Sequence, residues 1–493
     1  IKTIAIADPY APIHNISEWA LLSYFGRASY NYKDKFLADA SFRIDGSSRF
    51  GANKRYGMFP ALSVGWRVSE EAFLKGNTTV DDLKIRAGYG VTGNQEGLGG
   101  DYPALALYNT GRNYDGNPGI WQANIPNPDL GWESTAAANI GVDVSLLNSR
   151  INFTAEAYLK RTNDLIFQRQ LPFTSGFGSI GNANIGAMEN RGLEFTLNTR
   201  NLTGAFKWTT NFNISFNRNR ITALPNNGRL GSDFIFKLPD AYGVEGPYSI
   251  YRVGESVGNF YGYRYLGVYA RDEDVPRIDD PERRITDLFE RGVRGGEASF
   301  LDVNNDGFIS RADDRVLIGN ALPLHIGGIT NTFSYKGFEL SAVVNWSYGN
   351  KIYNMTRGVL TGMIEDLNQS TEVLRRWRKQ GDVTDVPKAL YGSSSVSGAA
   401  PTDVSDRYLE DGSFLRFRNI TLSYSLPQSL INRMKLSNAR LYVSGQNLIT
   451  ITNYSGFDPE SQNTGGGRIP SLGVDYLTQP QARVVTFGLN VGF

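Results

Sequence analysis

Residues 302–313 read DVNNDGFISRAD, and their types and spacing match the binding of a hard divalent cation. Asp302, Asn304 and Asp306 stand at positions 1, 3 and 5 of an EF-hand-like loop, and Gly307 supplies the sharp turn at position 6. The Phe308 carbonyl serves position 7, Ser310 reaches the ion through water at position 9, and Asp313 closes the loop at position 12. A hard cation needs several oxygens on one short segment, which this pattern provides. Asp in place of Glu at the closing position is one methylene shorter, so single-oxygen ligation and weaker affinity are expected. The plain alternative is an Asp/Asn-rich surface turn without metal. Flanking helices with apolar grooves are not evident, so the expectation is structural Ca²⁺ that orders its surroundings, not a calcium switch.

Other chemistry is sparse. The chain has two histidines, His14 and His325, and no cysteine, which removes cysteine nucleophiles and zinc sites of the usual ligand sets. Asp279-Asp280 and Asp313-Asp314 are carboxylate pairs of the type used in glycoside hydrolysis, but adjacent acids in loops are ordinarily solvated. No residue is assigned a catalytic role, and the chain is not expected to be an enzyme. Fifty basic residues against 49 acidic ones leave a net charge of +1, so no overall field recruits nucleic acid. The basic run Leu374 to Lys379 (LRRWRK) is short and isolated, and fits a loop helix or partner-contact surface. Tyr108, Tyr114, Trp121, Tyr248, Tyr251, Tyr261 and Tyr391 offer flat apolar faces for sugar rings or peptide side chains. They serve equally to pack loops together, and no substrate-binding residue is assigned.

The elements that carry these residues are strands. Phe36, Ala38, Ala40, Phe42 and Ile44 alternate with Lys35, Asp39, Ser41, Arg43 and Asp45. Ile151 to Lys160, Leu193 to Leu197, Trp208 to Asn217 and Phe338 to Trp346 repeat the pattern, as does the final segment Val485 to Phe493. Alternation over about ten residues is the signature of a strand with one face to lipid and one to a watery lumen. A soluble sheet with one buried face alternates in the same way, and the connections discriminate between the two. Tight links at Lys33-Asp34, Asn148-Ser149, Asn201 to Thr203 and Tyr335 to Gly337 take turns with long excursions. The excursions fall at 46–57, 93–130, 163–187, 218–322, 349–412 and 451–481. Outer-membrane barrels have short periplasmic turns and long extracellular loops, which a soluble sandwich has no reason to copy. Intermediate links at 69–81 and 426–437 hold short helical pieces and belong with the tight edge by parity.

The expected fold is therefore an all-β, transmembrane antiparallel barrel of about thirteen strands with long extracellular loops. Residues 1–17 are expected to form an extracellular loop segment, and 18–493 a C-terminal barrel portion with an extracellular lobe at 218–322. Asn259 to Tyr269 (NFYGYRYLGVY) looks like a strand, but counting it in the wall would invert every later loop, so it is assigned to the lobe. Closed single-chain bacterial barrels have even strand numbers. Further strands are thus expected from an upstream segment or a companion chain. A passive porin and a soluble all-β glycan-binding or adhesin module are the competing functional classes.

Several runs resemble the C-terminal barrel half of the SusC/RagA family of TonB-dependent outer-membrane transporters. They are Arg43 to Phe50 (RIDGSSRF), Phe59-Pro60, Ser63 to Glu71 (SVGWRVSEE), Leu83 to Asn94 (LKIRAGYGVTGN), Ile185 to Glu194 (IGAMENRGLE) and Leu415 to Leu422 (LRFRNITL). The resemblance extends from about Tyr24 to the C-terminus and implies a 22-stranded barrel with a plug. It also implies a surface lipoprotein of the SusD type over the top, and import of oligosaccharides or oligopeptides energised by the TonB complex. The plug, the TonB-contacting segment and the early strands have no counterpart in this sequence, so the chain alone is not expected to couple to TonB.

Overall fold

The structure, a computed structural model, describes residues 16–96, 100–170, 174, 179–224, 234–237, 246–276, 293–364, 366–390, 403–460 and 472–493. Thirteen strands form one antiparallel sheet in chain order. They are Leu21–Tyr32, Phe36–Ser47, Tyr56–Arg67, Val80–Asn94, Glu133–Leu146, Ile151–Gln170, Ser179–Thr203, Phe206–Ala223, His325–Tyr335, Phe338–Tyr348, Phe414–Ser425, Asn438–Thr452 and Val484–Gly492. Among the described residues the first and last strands each pair on one side only, so the sheet is open.

Register turns the alternation of single strands into two continuous faces. One row runs Phe36, Trp66, Ile85, Val142, Ala155, Phe195, Ile214, Gly327, Trp346, Leu415 and Ile451, each opposite the next across the ladder. Adjacent rows on this face are similarly apolar, and Leu62, Ile140, Leu441 and Phe487 on it are exposed. The glycine in the row has a reason: a Cβ at Gly327 would strike the Trp346 ring and the Asn213 carbonyl oxygen. Such covering of a strand glycine by a cross-strand aromatic pins register. Near the tight-turn edge aromatics pack ring to ring between strands. Phe36 lies 6.4 Å from Trp66, Trp208 5.7 Å from Phe333, and Phe338 4.4 Å from Tyr424.

The two edges of the sheet differ as their links require. Lys33 and Asp34 take φ of 57° and 55°, the primed-turn geometry whose twist suits antiparallel neighbours. Leu147, Asn148 and Ser149, and then Lys336 and Gly337, use the same left-handed region. The links 68–79 and 426–437 lie on this edge and hold a 3₁₀ turn, Val68–Glu70, and a short helix, Gln428–Arg433. Every longer link lies on the other edge. One excursion is shorter than its sequence indicates: Ile151–Gln170 and Ser179–Thr203 continue as a tall hairpin through most of 163–187. Irregular pairing between Thr162 and Ile166 breaks the alternation there, so periodicity alone ends the strand too early.

Above the long-link edge, loop segments build a lobe. Phe234–Lys237, Tyr248–Tyr251, Asn259–Gly262 and Val316–Asn320 form one small sheet, and Tyr265–Val268 pairs with Ala298–Phe300. Asn259 to Tyr269 thus stands off the wall, as strand parity requires. A third sheet joins Lys351–Asn354 to Leu409–Asp411 and, in parallel, to Val474–Asp475. One apolar core unites the first and third of these sheets, with Ile250, Phe260, Tyr353, Met355, Val404, Tyr408 and Val474 packed together, and a second holds Ala298 and Phe300 with Tyr263 and Val293. Among the described residues the lobe is therefore made from 234–237, 246–276 and 293–321 together with two later loops.

Candidate functional site

The second face of the sheet is polar and cross-linked by charge. The Arg86 guanidinium bridges Asp143 at 3.2 Å and Glu156 across two strands, and Asn139 donates to Glu156 at 3.0 Å. Arg27 pairs with Asp39 at 2.7 Å, and Arg440 with Glu339 at 2.7 Å. A recess of about 500 Å³ opens on this face, lined in part by Ser29, Asp39, Ser63, Lys84, Arg86 and Asn139. Alternating cations, carboxylates and amides give a surface that can hydrogen-bond polar solutes without holding one sign of charge strongly.

In the lobe, a cleft of about 610 Å³ lies between the helix Met355–Thr361, the 3₁₀ turn Thr371–Arg375 and the segment 453–457. Its floor is an ion network. Arg357 holds Glu372 through two nitrogens at 2.7 and 3.0 Å and reaches Glu410 at 3.3 Å. Glu410 also accepts from the Ser455 hydroxyl and backbone amide, both at 2.8 Å. The Arg357 hydrogen bonds hold the Glu372 carboxyl below the usual carboxylate range against the opposing effect of burial. Phe457 stands exposed at the rim.

Beside this cleft, Arg416 is buried at 2% exposure and bonds Asp458 at 2.6 Å, Thr450 at 3.0 Å and Glu460. Arg418 adds a 2.8 Å contact to Glu460. Burial alone would raise the Asp458 carboxyl, but Arg416 and the amides of Glu460 and Gln481 hold it below the usual range.

The 302–313 loop is ordered by its own carboxylates. Asp302 accepts from the amides of Asp306 at 3.2 Å and Gly307 at 2.7 Å, and Asn304 donates to Asp306 at 3.0 Å. Gly307 takes φ of 78°, the turn its place in the pattern calls for. Asp313 instead accepts from the Ser310 hydroxyl at 2.9 Å. The neighbouring Asp314, fully buried, clasps both limbs through the amides of Val303 at 2.8 Å and Ser310 at 2.6 Å. Its carboxyl is raised by burial, with Asp302 and Asp306 adding repulsion. The structure thus brings Asp302, Asn304 and Asp306 together but does not bring Asp313 to them. Among the described residues no three His, Asp or Glu side chains converge closely enough to hold a metal ion.

A family model described as TonB dependent receptor-like, beta-barrel, matches residues 3–282. TonB-dependent receptor P39 of Formosa agariphila is 35% identical across 96% of this chain and 46% of that protein. The chain belongs to the TonB-dependent receptor family. Its relatives include TonB-dependent receptor SusC of Bacteroides thetaiotaomicron, 31% identical over 96% of this chain and 44% of SusC. The solved RagAB peptide transporter superposes with a TM-score of 0.78 at 27% identity, over 98% of this chain and 49% of that one. This receptor chain is therefore of the SusC/RagA type, and its sheet is an outer-membrane barrel wall. The chain spans about half the length of the curated relatives it matches.

Within the receptor, the motifs that carry the resemblance are joints. In RIDGSSRF, Arg43 pairs with Asp45 at 2.9 Å, Arg49 with Asp101 at 2.6 Å, and Phe50 packs in a cluster with Ala104 and Leu130. In SVGWRVSEE, the Trp66 indole donates to Glu71 at 3.1 Å, and Lys35 pairs with the same carboxylate at 2.9 Å. LRFRNITL contributes Arg416 and Arg418 to the clasp on Asp458 and Glu460. Of the aromatic candidates, Tyr248 and Tyr261 are buried in the lobe core, whereas Tyr108 and Trp121 are exposed on a separate hairpin. Tyr251 is half-buried, and burial raises its hydroxyl pKa. His325 stacks on Tyr348 at 5.1 Å and accepts from the Trp346 indole at 3.2 Å. In the LRRWRK run, Trp377 is a staple, donating to the Ala270 carbonyl at 2.9 Å. His14, the Asp279-Asp280 pair, Tyr391 and the Tyr114 side chain lie outside the described residues. Sequence reasoning missed the Arg357–Glu372–Glu410 network, because isolated charges in long loops carry no periodic signal.

Proposed function

We propose that this chain supplies part of the barrel wall of an energy-dependent importer that takes up oligosaccharides or oligopeptides. The remaining strands and a plug come from the same polypeptide or a companion chain, the plug couples to TonB, and a SusD-like surface lipoprotein covers the long-loop edge. That edge faces the cell exterior. The observation that carries this reading is the segregation of the thirteen-stranded sheet into an apolar outer face and a charged inner face, with the built lobe on one edge only. An open strand edge in lipid leaves backbone groups unpaired at several kcal/mol each, which favours completion by further strands. A pore wide enough for oligomers needs a polar lumen, and the Arg86 and Arg440 networks give one. Similarity to the RagAB peptide transporter supports the peptide class.

The test is uptake of labelled oligosaccharides and oligopeptides by cells carrying the full-length polypeptide, with and without TonB. TonB-dependent accumulation of one class is expected. Equal accumulation without TonB makes the protein a passive porin. Extraction without detergent, with no heat-dependent shift on a denaturing gel, makes it a soluble binding module.

The reading includes Ca²⁺ as a structural ion in the lobe, held by Asp302, Asn304, Asp306, the Phe308 carbonyl and Asp313 after Asp313 leaves Ser310. The repulsion that Asp302 and Asp306 exert on buried Asp314 supports it, since a bound cation would relieve that repulsion. Calcium titration of the full-length protein followed by lobe amide exchange is the check. Binding unchanged by Asp302→Ala and Asp306→Ala overturns the assignment.

A further inference from the structure

The apolar outer face ends abruptly in arginine. Following three adjacent strands toward the long-loop edge, the rows read Phe153, Leu197, Phe212; then Ala155, Phe195, Ile214; then Ala157, Leu193, Phe216. The next row is Leu159, Arg191, Arg218, and the one above it Arg161, Glu189, Arg220. Pairing is regular from the first of these rows to the last, so all five rows share one face. Four arginines therefore stand around one carboxylate on the side of the wall that meets lipid. Glu189 is 12% exposed beneath Arg161 at 3.2 Å and Arg220 at 3.7 Å, whose side chains are 64% and 58% exposed. Arg191 and Arg218 are exposed as well, and Arg218 is steadied by the Leu324 carbonyl at 2.9 Å.

Height decides what these groups meet. Ile151 to Arg161 spans ten residue steps, roughly 33 Å of strand and roughly 25 Å along the barrel axis at a tilt of about 40°, the height of an apolar band. The arginine rows thus sit where hydrocarbon gives way to headgroups. A cross-strand ion pair needs one arginine for Glu189, and the patch holds three more. An excess of guanidinium at that depth matches a phosphate, which it binds through paired N–H donors.

We propose that this patch binds a phosphate-bearing lipid headgroup of the outer leaflet, whose acyl chains lie over Leu159 beside it and over Ala157, Leu193 and Phe216 in the row below. The inference rests on the orientation of the wall in the membrane and not on the cargo, so an importer that fails to transport leaves it standing.

The experiment is native mass spectrometry of the full-length receptor in detergent, titrated with monophosphoryl lipid A, its dephosphorylated form, or inorganic phosphate. Retention of the phosphorylated lipid over the dephosphorylated one is expected in the wild type, a comparison that needs no variant. The double variant Arg161→Gln, Arg191→Gln should lower retention about thirty-fold, at about 1 kcal/mol per basic side chain near the surface. Its heat-dependent gel shift reports intact assembly. Equal binding of the dephosphorylated lipid, unchanged retention by an assembled variant, or inorganic phosphate binding as tightly as the lipid would each overturn the proposal.

Discussion

Arg416 and Asp458 meet at 2.6 Å with side chains 2% and 4% exposed, joining the eleventh wall strand to the last long loop across 42 residues of chain. Removing one partner of such a pair leaves an uncompensated buried charge, which costs about 3–5 kcal/mol. Arg416→Leu is expected to free the segment around Asp458, read as new protease cleavage between residues 453 and 483 while the barrel keeps its heat-dependent gel shift. The double change Arg416→Leu, Asp458→Asn should be milder than Arg416→Leu alone.

The same pair sets a pH response. Asp458 has a folded pKa below its unfolded value of about 3.9, so its contribution is fully present above that value and is lost as pH falls through the folded one. Exchange protection at the Gln481 amide, which donates to Asp458 at 3.2 Å, should hold from pH 7 down to about 5 and collapse only below about 4. Loss of protection already near pH 6 would contradict this assignment.

Asp314 behaves in the opposite sense. Its folded pKa is raised, so ionisation works against the folded loop, and stability falls as pH rises from the unfolded value through the folded one. Asp314→Asn removes that penalty but weakens the clasp on Val303 and Ser310. The pH dependence of exchange at those two amides should flatten in the variant.

In the lobe cleft, Glu372→Gln breaks the two-nitrogen bond to Arg357 and leaves that guanidinium with Glu410. A loss of about 1.5–3 kcal/mol in local stability is expected for a hydrogen bond to a charged group. Amide exchange in residues 355–375 measures it, with no change expected in the wall strands.

Two glycines offer a test of the wall. A Cβ at Gly192 would collide with the Phe216 carbonyl oxygen and the Tyr158 ring, whereas one at Gly204, in a tight turn, meets nothing within 4 Å. Gly192→Ala should lower the barrel's unfolding temperature, at a cost of about 1–3 kcal/mol, and Gly204→Ala should leave it unchanged. Gel-shift temperature series on both variants provide the comparison.

Sequence reading reached far for the wall and less far for the site. The alternation through Phe36 to Ile44 and Phe338 to Trp346 is written in neighbouring residues, and turns such as Lys33-Asp34 are local too. The strand count, the two kinds of edge and the placement of Asn259 to Tyr269 off the wall could therefore be read directly. The tall hairpin above Leu159 escaped because irregular pairing near Leu165 breaks the two-residue rhythm. In the 302–313 loop, Asp302, Asn304 and Asp306 meet because they are near neighbours in the chain, whereas the burial of Asp314 under the loop depends on the lobe around it.

By itself, the sequence determined a two-faced β wall, because side-chain period two is a property of each strand alone, and its motifs carried the resemblance to the SusC/RagA type. Tertiary structure decided which strands stand side by side, and so which distant side chains meet. Arg357 finds Glu410, and Arg416 finds Asp458, only because separate loops fold into one lobe. Arg161, Arg191, Arg218 and Arg220 form a patch only because register sets them in adjacent rows on the lipid side. A one-residue slip would turn each strand's side chains to the opposite face.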